Sequence, residues 1–220
     1  MPDTYSGEVS TGGPPDTRDT GPMTITKLSV GPMDNNAYFL RCAGTGDVLL
    51  IDAANEPDRL LAALGDDKLA RIVTTHQHYD HWQGLPEMVA ATGAPVFAHP
   101  ADSEKLPVTV SGPLEDGDEV RVGDCTLSVI HLVGHTPGSI ALLYRDPTGF
   151  PHLFTGDSLF PGGVGNTRGD AEAFRSLIDD VEHKLFDRLP DDTWFYPGHG
   201  KDSTLGAERP ALPEWRARGW

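Results

Sequence analysis

Residues 75–81 read Thr75-His76-Gln77-His78-Tyr79-Asp80-His81, which places four metal-ligand side chains in six positions directly behind the apolar run 69–75. Side chains two apart on an extended segment leave the same face, so His76 and His78 point their imidazoles together. Asp80 and His81 follow where the chain turns toward the next helix and can face a second ion. A lone histidine is more often structural than a ligand. Four ligand-type residues at this density, just past a strand, reverse that expectation.

Working outward, three further candidates sit in the same local setting, each at the end of a strand-like run and beside glycine. They are His135 in Gly134-His135-Thr136-Pro137-Gly138, Asp157 in Thr155-Gly156-Asp157-Ser158, and His199 in Pro197-Gly198-His199-Gly200. Singly each is weak, because an aspartate after glycine is usually a turn residue. Together with the first cluster they make two sets of nitrogen and oxygen donors suited to zinc, each leaving room for water.

In chain order the strings HxHxDH, GHTPGS, TGDSLF and PGHG resemble the metallo-β-lactamase superfamily, and within it most the glyoxalase II-like thioesterases, over about residues 24–209. The resemblance implies an α/β (α+β) fold, the αββα sandwich of two mixed sheets flanked by helices, with metals at one edge of the paired sheets. Carried over by motif, His76, His78 and His135 would bind a first metal and Asp80, His81 and His199 a second. Asp157 would bridge them. Two divalent ions are implied, with zinc expected and iron or manganese as alternatives. The implied activity is hydrolysis of a small-molecule thioester or ester by a metal-bridging hydroxide, which Asp80 would orient as the catalytic residue.

The chain departs from the glyoxalase II-like pattern at two points. Asn166 stands where a basic residue holds the glutathione tail, and the 21 residues after His199 are too few for the group's helical extension. A weak preference for glutathione conjugates is the expectation. A lactonase with the same ligands is the nearest rival. A persulfide dioxygenase built on a single iron shares the motif, but typically carries arginine at the Asn166 position. True β-lactamases usually lack the aspartate bridge and are exported.

The rest of the chain is consistent with one domain over residues 23–220 after a polar segment 1–22, which reads as a tail or an arm. Strands are expected at 24–30, 37–42, 48–52, 69–75, 95–98, 120–122, 126–131, 140–144, 153–155 and 194–196. A helix capped by Asn55 ends at Gly65, and a short one lies near 85–91. The clearest helix spans 171–189, with Phe174, Leu177, Ile178, Val181 and Leu185 on one stripe behind an Asp170 cap. Strands followed by helix, twice over, suggest two sheets sandwiched between helices.

Composition narrows the partners. The 33 acidic against 17 basic residues give a formal charge of -16, which repels phosphate backbones and argues against nucleic acid. No run approaches the roughly 20 apolar residues of a membrane span, and residues 1–22 lack the apolar core of a secretory signal. Cys42 and Cys125 form no CxxC pair and read as small buried hydrophobes in a reducing compartment. A cytoplasmic protein is expected. Of the other histidines, His131 reads as partly buried and hydrogen-bonded, His99 as shaping a loop near the site, and His152 and His183 as exposed. Trp82 reads as a packing residue.

Overall fold

The computed structural model describes residues 5–219. A seven-stranded sheet holds β1 (Asp16–Asp19), β2 (Met23–Val30), β3 (Asn35–Cys42), β4 (Val48–Ile51), β5 (Leu69–Val73), β6 (Val96–Ala98) and β7 (Gly112–Pro113) in that order. β1 to β4 pair antiparallel, and β4 to β7 pair parallel.

The second sheet begins with β8 (Glu119–Val122), β9 (Cys125–His131), β10 (Ile140–Arg145) and β11 (Pro151–Gly156). A separate hairpin follows, β12 (Leu159–Phe160) with β13 (Gly163–Val164), before β14 (Trp194–Pro197) and β15 (Ser203–Thr204) return to the second sheet. Its six strands run in the order β15-β14-β11-β10-β9-β8, with β11 and β14 parallel.

Three apolar layers hold this together. Ile25, Leu40, Leu49 and Val73 of the first sheet meet Leu127, Val129, Leu142 and Phe154 of the second between the sheets, and Cys42 and Cys125 are buried in the same layer. Outside the first sheet, α1 (Pro57–Leu64) and α2 (Leu85–Thr92) lay Leu60, Leu64, Leu85 and Met88 against Leu28, Leu50 and Ile72. Outside the second, α4 (Ala171–Asp180) covers Ala141, Leu153 and Phe195, after a short α3 (Pro100–Ser103) earlier in the chain. α5 (Leu205–Glu208) and α6 (Leu212–Arg218) join that outer layer through Leu205, Leu212 and Trp215. The order helix, sheet, sheet, helix is the expected αββα sandwich.

Several expectations change in detail. The helix from Ala171 starts as read, with Asp170 Oδ1 accepting from the Glu172 and Ala173 amides at 2.8 and 3.0 Å. Its α winding stops at Asp180, and Val181–Phe186 widens into a π-helix in which Val181, Leu185 and Phe186 are all buried. The cap of α1 is Glu56, at φ 49°, rather than Asn55; the Asn55 side chain instead accepts from the Glu56 amide at 2.8 Å. His152 is buried rather than exposed, because it faces the inter-sheet layer and its Nδ1 bonds the Tyr196 hydroxyl at 2.9 Å. His183 is exposed.

Residues 5–19 lie along the domain as an arm, with β1 as the edge strand of the first sheet; residues 1–4 fall outside the described part. Among the described residues no helix is long and apolar enough to cross a membrane.

Candidate metal centre

The site lies where the two sheets meet at one end, on the loops that follow β5, β9, β11 and β14. Backbone bonds across the junction set the approach. The Ile140 amide donates to Thr75 O at 3.0 Å and the Asn36 amide to Gly198 O at 2.7 Å, while within the second sheet the Gly198 amide donates to Gly156 O at 2.8 Å. Glycine is required at the closest contact: a Cβ on Gly198 would run into Asp157 Oδ1 and lie 2.7 Å from His81 Cε1. Gly156 takes φ 47°, which turns β11 so that Asp157 faces inward.

All seven candidate side chains converge. They form three overlapping groups, His76 with His78 and His135, His76 with His81 and Asp157, and Asp80 with His81 and His199, in each of which the donor atoms lie within 4.8 Å of one another. His81 Nε2 lies 3.3 Å from Asp157 Oδ1 and 3.5 Å from Asp80 Oδ2, and His199 Nε2 lies 3.2 Å from Asp80 Oδ2.

Outer contacts aim the rings. His76 Nδ1 bonds Thr75 Oγ1 at 3.0 Å, His81 Nδ1 bonds Asp52 Oδ2 at 2.8 Å, His135 Nδ1 bonds Asn166 O at 3.0 Å and His199 Nδ1 bonds Met33 O at 2.9 Å. In each case Nδ1 faces an acceptor and donates its proton, which leaves Nε2 as the inward-facing nitrogen. Thr75 Oγ1 can accept from His76 because its own proton goes to Asp52 Oδ2 at 2.8 Å.

The electrostatics follow from this crowding. Burial, with the His81 cation beside it, holds His76 well below its ordinary value, and burial lowers His135 to about 4. Burial would lower His81 and His199 too, but the surrounding carboxylates win. Asp157 and Asp52 hold His81 well above its ordinary value, and hydrogen bonds to Asp157 and Asp80 raise His199 to about 9. Burial opposes ionisation of Asp157 and Asp80, yet the His81 and His199 cations keep both carboxyls below the usual range.

A divalent ion fits this set. His76 Nε2, His135 Nε2 and Asp157 Oδ1 are buried and have no hydrogen-bond partner, although buried polar atoms are nearly always paired. All three aim into the junction, and imidazole nitrogen with carboxylate oxygen is a donor set for zinc, iron or manganese.

The metallo-beta-lactamase superfamily model matches residues 30–200, which contain every one of these residues. The chain belongs to the metallo-beta-lactamase superfamily. Among its relatives is the hydroxyacylglutathione hydrolase of Polaromonas sp. (strain JS666 / ATCC BAA-500), 35% identical over 182 residues, which are 80% of this chain and 66% of that protein. The chain therefore spans just under two thirds of that relative's length. Among solved structures, ETHE1 from Myxococcus xanthus matches with a TM-score of 0.72 at 30% identity, over 88% of this chain and 84% of that one. TTHA1623 in a di-iron-bound form matches with a TM-score of 0.69 at 32% identity, over 83% and 96%.

Three supporting residues escaped the sequence reading. Asp52, at φ 56° just past β4, receives the Thr75 amide at 2.7 Å as well as Thr75 Oγ1 and His81 Nδ1. Its signal was an apolar run, Val48-Leu49-Leu50-Ile51, ending directly in an acid, though no motif marked it. Asp102, in a helix of four residues, accepts from the Gln77 amide at 2.8 Å, Thr136 Oγ1 at 2.6 Å and the Gly138 amide at 2.8 Å, tying the His76 and His135 loops together. Asn35 donates to Asp80 Oδ2 at 2.9 Å. Among the other histidines, His99 caps α3 and stacks on His131 at 3.9 Å, and His131 Nε2 bonds Pro137 O at 2.9 Å. Trp82 packs under the first sheet's outer layer and donates to Gln77 O at 2.9 Å.

Two outcomes follow from this geometry. Replacing Asp52 by Asn removes the charge that aims His81, and metal affinity should fall about 10–100-fold with the fold retained, read by metal titration alongside circular dichroism. Affinity should also depend on pH with a definite sign. The proton on His199, with its value near 9, must leave before Nε2 can bind a metal, so affinity should rise about tenfold per pH unit per displaced proton as pH climbs toward that value. Affinity constant between about pH 6 and 9 would show that His199 carries no proton to displace.

Proposed function

We propose that the protein is a metal-dependent hydrolase that binds two divalent ions, with zinc the expected metal, and cleaves a thioester or ester. The supporting observation is the placement of Asp157. Its Oδ2 lies 3.9 Å from His76 Nε2, 3.6 Å from His135 Nε2 and 3.4 Å from His199 Nε2, and its Oδ1 lies 3.3 Å from His81 Nε2. One carboxylate thus stands between the His76, His78, His135 group and the Asp80, His81, His199 group. Two divalent ions held by these residues would supply a water of lowered pKa, near about 7, and a Lewis acid for the acyl carbonyl.

The remaining work falls to the chain. Asn35 pins Asp80 through Oδ2, which leaves its second oxygen to accept a proton from the attacking water and orient it. A thiolate departs without being protonated, so a thioester asks for no further acid. Kinship with a hydroxyacylglutathione hydrolase supports acyl hydrolysis as the reaction class.

Beside the site lies a cavity of about 310 Å³ with an apolar wall of Val133, Pro137 and Ala173, bounded by His78, His135 and Arg168. Arg168 sits at φ 55°, its amide held by Asn166 Oδ1 at 2.7 Å, and its guanidinium donates to His78 Nε2 at 3.3 Å. Once an ion takes that nitrogen, the guanidinium loses its acceptor and becomes the cation of the cavity. The substrate reading is therefore an acyl compound with an apolar portion and an anionic group. Asn166 spends its amide oxygen on this turn and its carbonyl on His135, so the glutathione-binding cation of the glyoxalase II-like group has no counterpart at that position.

Metal-saturated protein should contain two equivalents of zinc, iron or manganese by elemental analysis, and Asp80→Asn should lose about 10²-fold or more in kcat. One equivalent of iron with oxygen uptake would instead establish the dioxygenase. On substrates, Arg168→Gln should lower kcat/KM at least about tenfold for a carboxylate-bearing thioester, the worth of one charged hydrogen bond, and leave a neutral analogue little changed. S-lactoylglutathione should gain less than about a hundredfold in kcat/KM over a thioester lacking the peptide, the difference expected when position 166 offers the glutathione tail no cation.

A further inference from the structure

Behind His199 lies a fully buried ion pair that the chemistry above does not use. Lys27 of β2 and Asp202, both without side-chain exposure, meet at 2.6 Å. All three ammonium protons are directed: to Asp202 Oδ1 at 2.6 Å, to Gly200 O at 2.7 Å and to Gly7 O at 2.8 Å. The other carboxylate oxygen, Asp202 Oδ2, accepts from the Tyr5 hydroxyl at 2.7 Å and from Trp194 Nε1 at 3.0 Å. Charges removed from water are strongly disfavoured unless every donor and acceptor is met, and here two of those partners, Tyr5 and Gly7, come from the N-terminal arm.

The pair grips the segment that carries His199. Gly200 O, one residue beyond it, receives both Lys27 Nζ and Asn36 Nδ2, the latter at 3.0 Å. Pro197 O receives Asn36 Nδ2 at 2.9 Å and the Tyr38 hydroxyl at 2.6 Å. A loop that leaves the second sheet is thereby hung on donors from the first. The arm is shaped for its part in this. Gly7 takes φ 72°, and a Cβ there would run into Asp202 Oδ2 and lie 2.8 Å from Asp202 Cγ, so only glycine allows the approach. Asp16 fixes the turn by accepting the Ser6 and Gly7 amides, each at 2.9 Å. A second arm contact, Lys201 Nζ to Glu8 Oε1 at 2.7 Å, closes over the outside.

We propose that Lys27 and Asp202, completed by Tyr5 and Gly7 of the N-terminal arm, are positioning residues that hold His199 in its place opposite Asp80 and His81. Removing the arm's contribution leaves the buried pair short of partners, loosens the 197–202 segment and weakens metal binding at that group alone. The inference rests on the reading of His199 as a ligand of one of two ions.

The test uses the full-length chain with Gly7→Ala, which dislodges the arm and with it Tyr5 from the margin of the inter-sheet layer, and Lys27→Met, which removes the charge directly. Metal titration of the metal-free proteins should show one ion bound about tenfold or more weaker in each variant, with the other unchanged. In the metal-free proteins, the NMR signal of the His199 Nδ1 proton, bonded to Met33 O in the parent, should exchange faster with water. If Lys27→Met does not fold, Gly7→Ala alone decides. A parent that binds only one ion would refute the two-ion reading. A parent that binds two, with both affinities and the His199 signal unaltered in Gly7→Ala despite a lowered melting temperature, would refute the positioning role and leave the arm purely structural.

Discussion

One buried carboxylate organises the site. Asp52 accepts from the Thr75 amide, the Thr75 hydroxyl and His81 Nδ1, and so fixes the start and the end of the 75–81 segment at once. A single acceptor shared in this way sets the rotation of His81 directly and that of His76 through the Thr75 hydroxyl. It is held at the end of β4 in a left-handed conformation that non-glycine residues seldom take, and the three hydrogen bonds are the compensation for that strain. Without it the first sheet would present a flexible histidine loop rather than an aimed set of nitrogens.

The site also depends on matching the two sheets at one end. Each sheet carries candidate ligands, but neither carries all seven: His76, His78, Asp80 and His81 follow β5, whereas His135, Asp157 and His199 follow strands of the second sheet. The inter-sheet apolar layer supplies attraction without direction, since burial of apolar surface is indifferent to register. Direction comes from polar bonds across the junction, Asn36 to Gly198, Ile140 to Thr75, Asp102 to both the 77 and 138 amides, and Lys27 to Gly200. These bonds are short and geometrically narrow, and they hold ligand atoms from different sheets within a few ångströms of one another.

Much of the architecture was legible in the chain because its period and punctuation are strong. Alternating or continuous apolar runs marked most strands of both sheets, and Asp170 with its stripe of Phe174, Leu177 and Ile178 marked the start of α4. What escaped were pieces too short to show a period: β7, β12, β13 and β15 have two residues each, α3 and α5 have four, and α6 has seven. β1 was hidden in a polar segment, since an edge strand with one buried residue carries no apolar signature. His152 reads as exposed because a histidine next to Pro151 and the Asp146-Pro147-Thr148-Gly149 turn looks like loop, whereas its β11 strand is buried along its whole length.

The sequence by itself determined which residues could bind metal, because ligand density and strand-end placement are local properties of HxHxDH, GHTPG, TGD and PGHG. It equally determined the layered fold, because periodicity decides which face of each element must be covered. Only the tertiary structure decided how those residues act together. The supporting set of Asp52, Asp102 and Asn35, the cation that Arg168 sets over His78, and the arm that completes the Lys27–Asp202 pair all join residues remote in the chain. Such pairings follow from which surfaces meet when two sheets pack, and no spacing along one dimension encodes that.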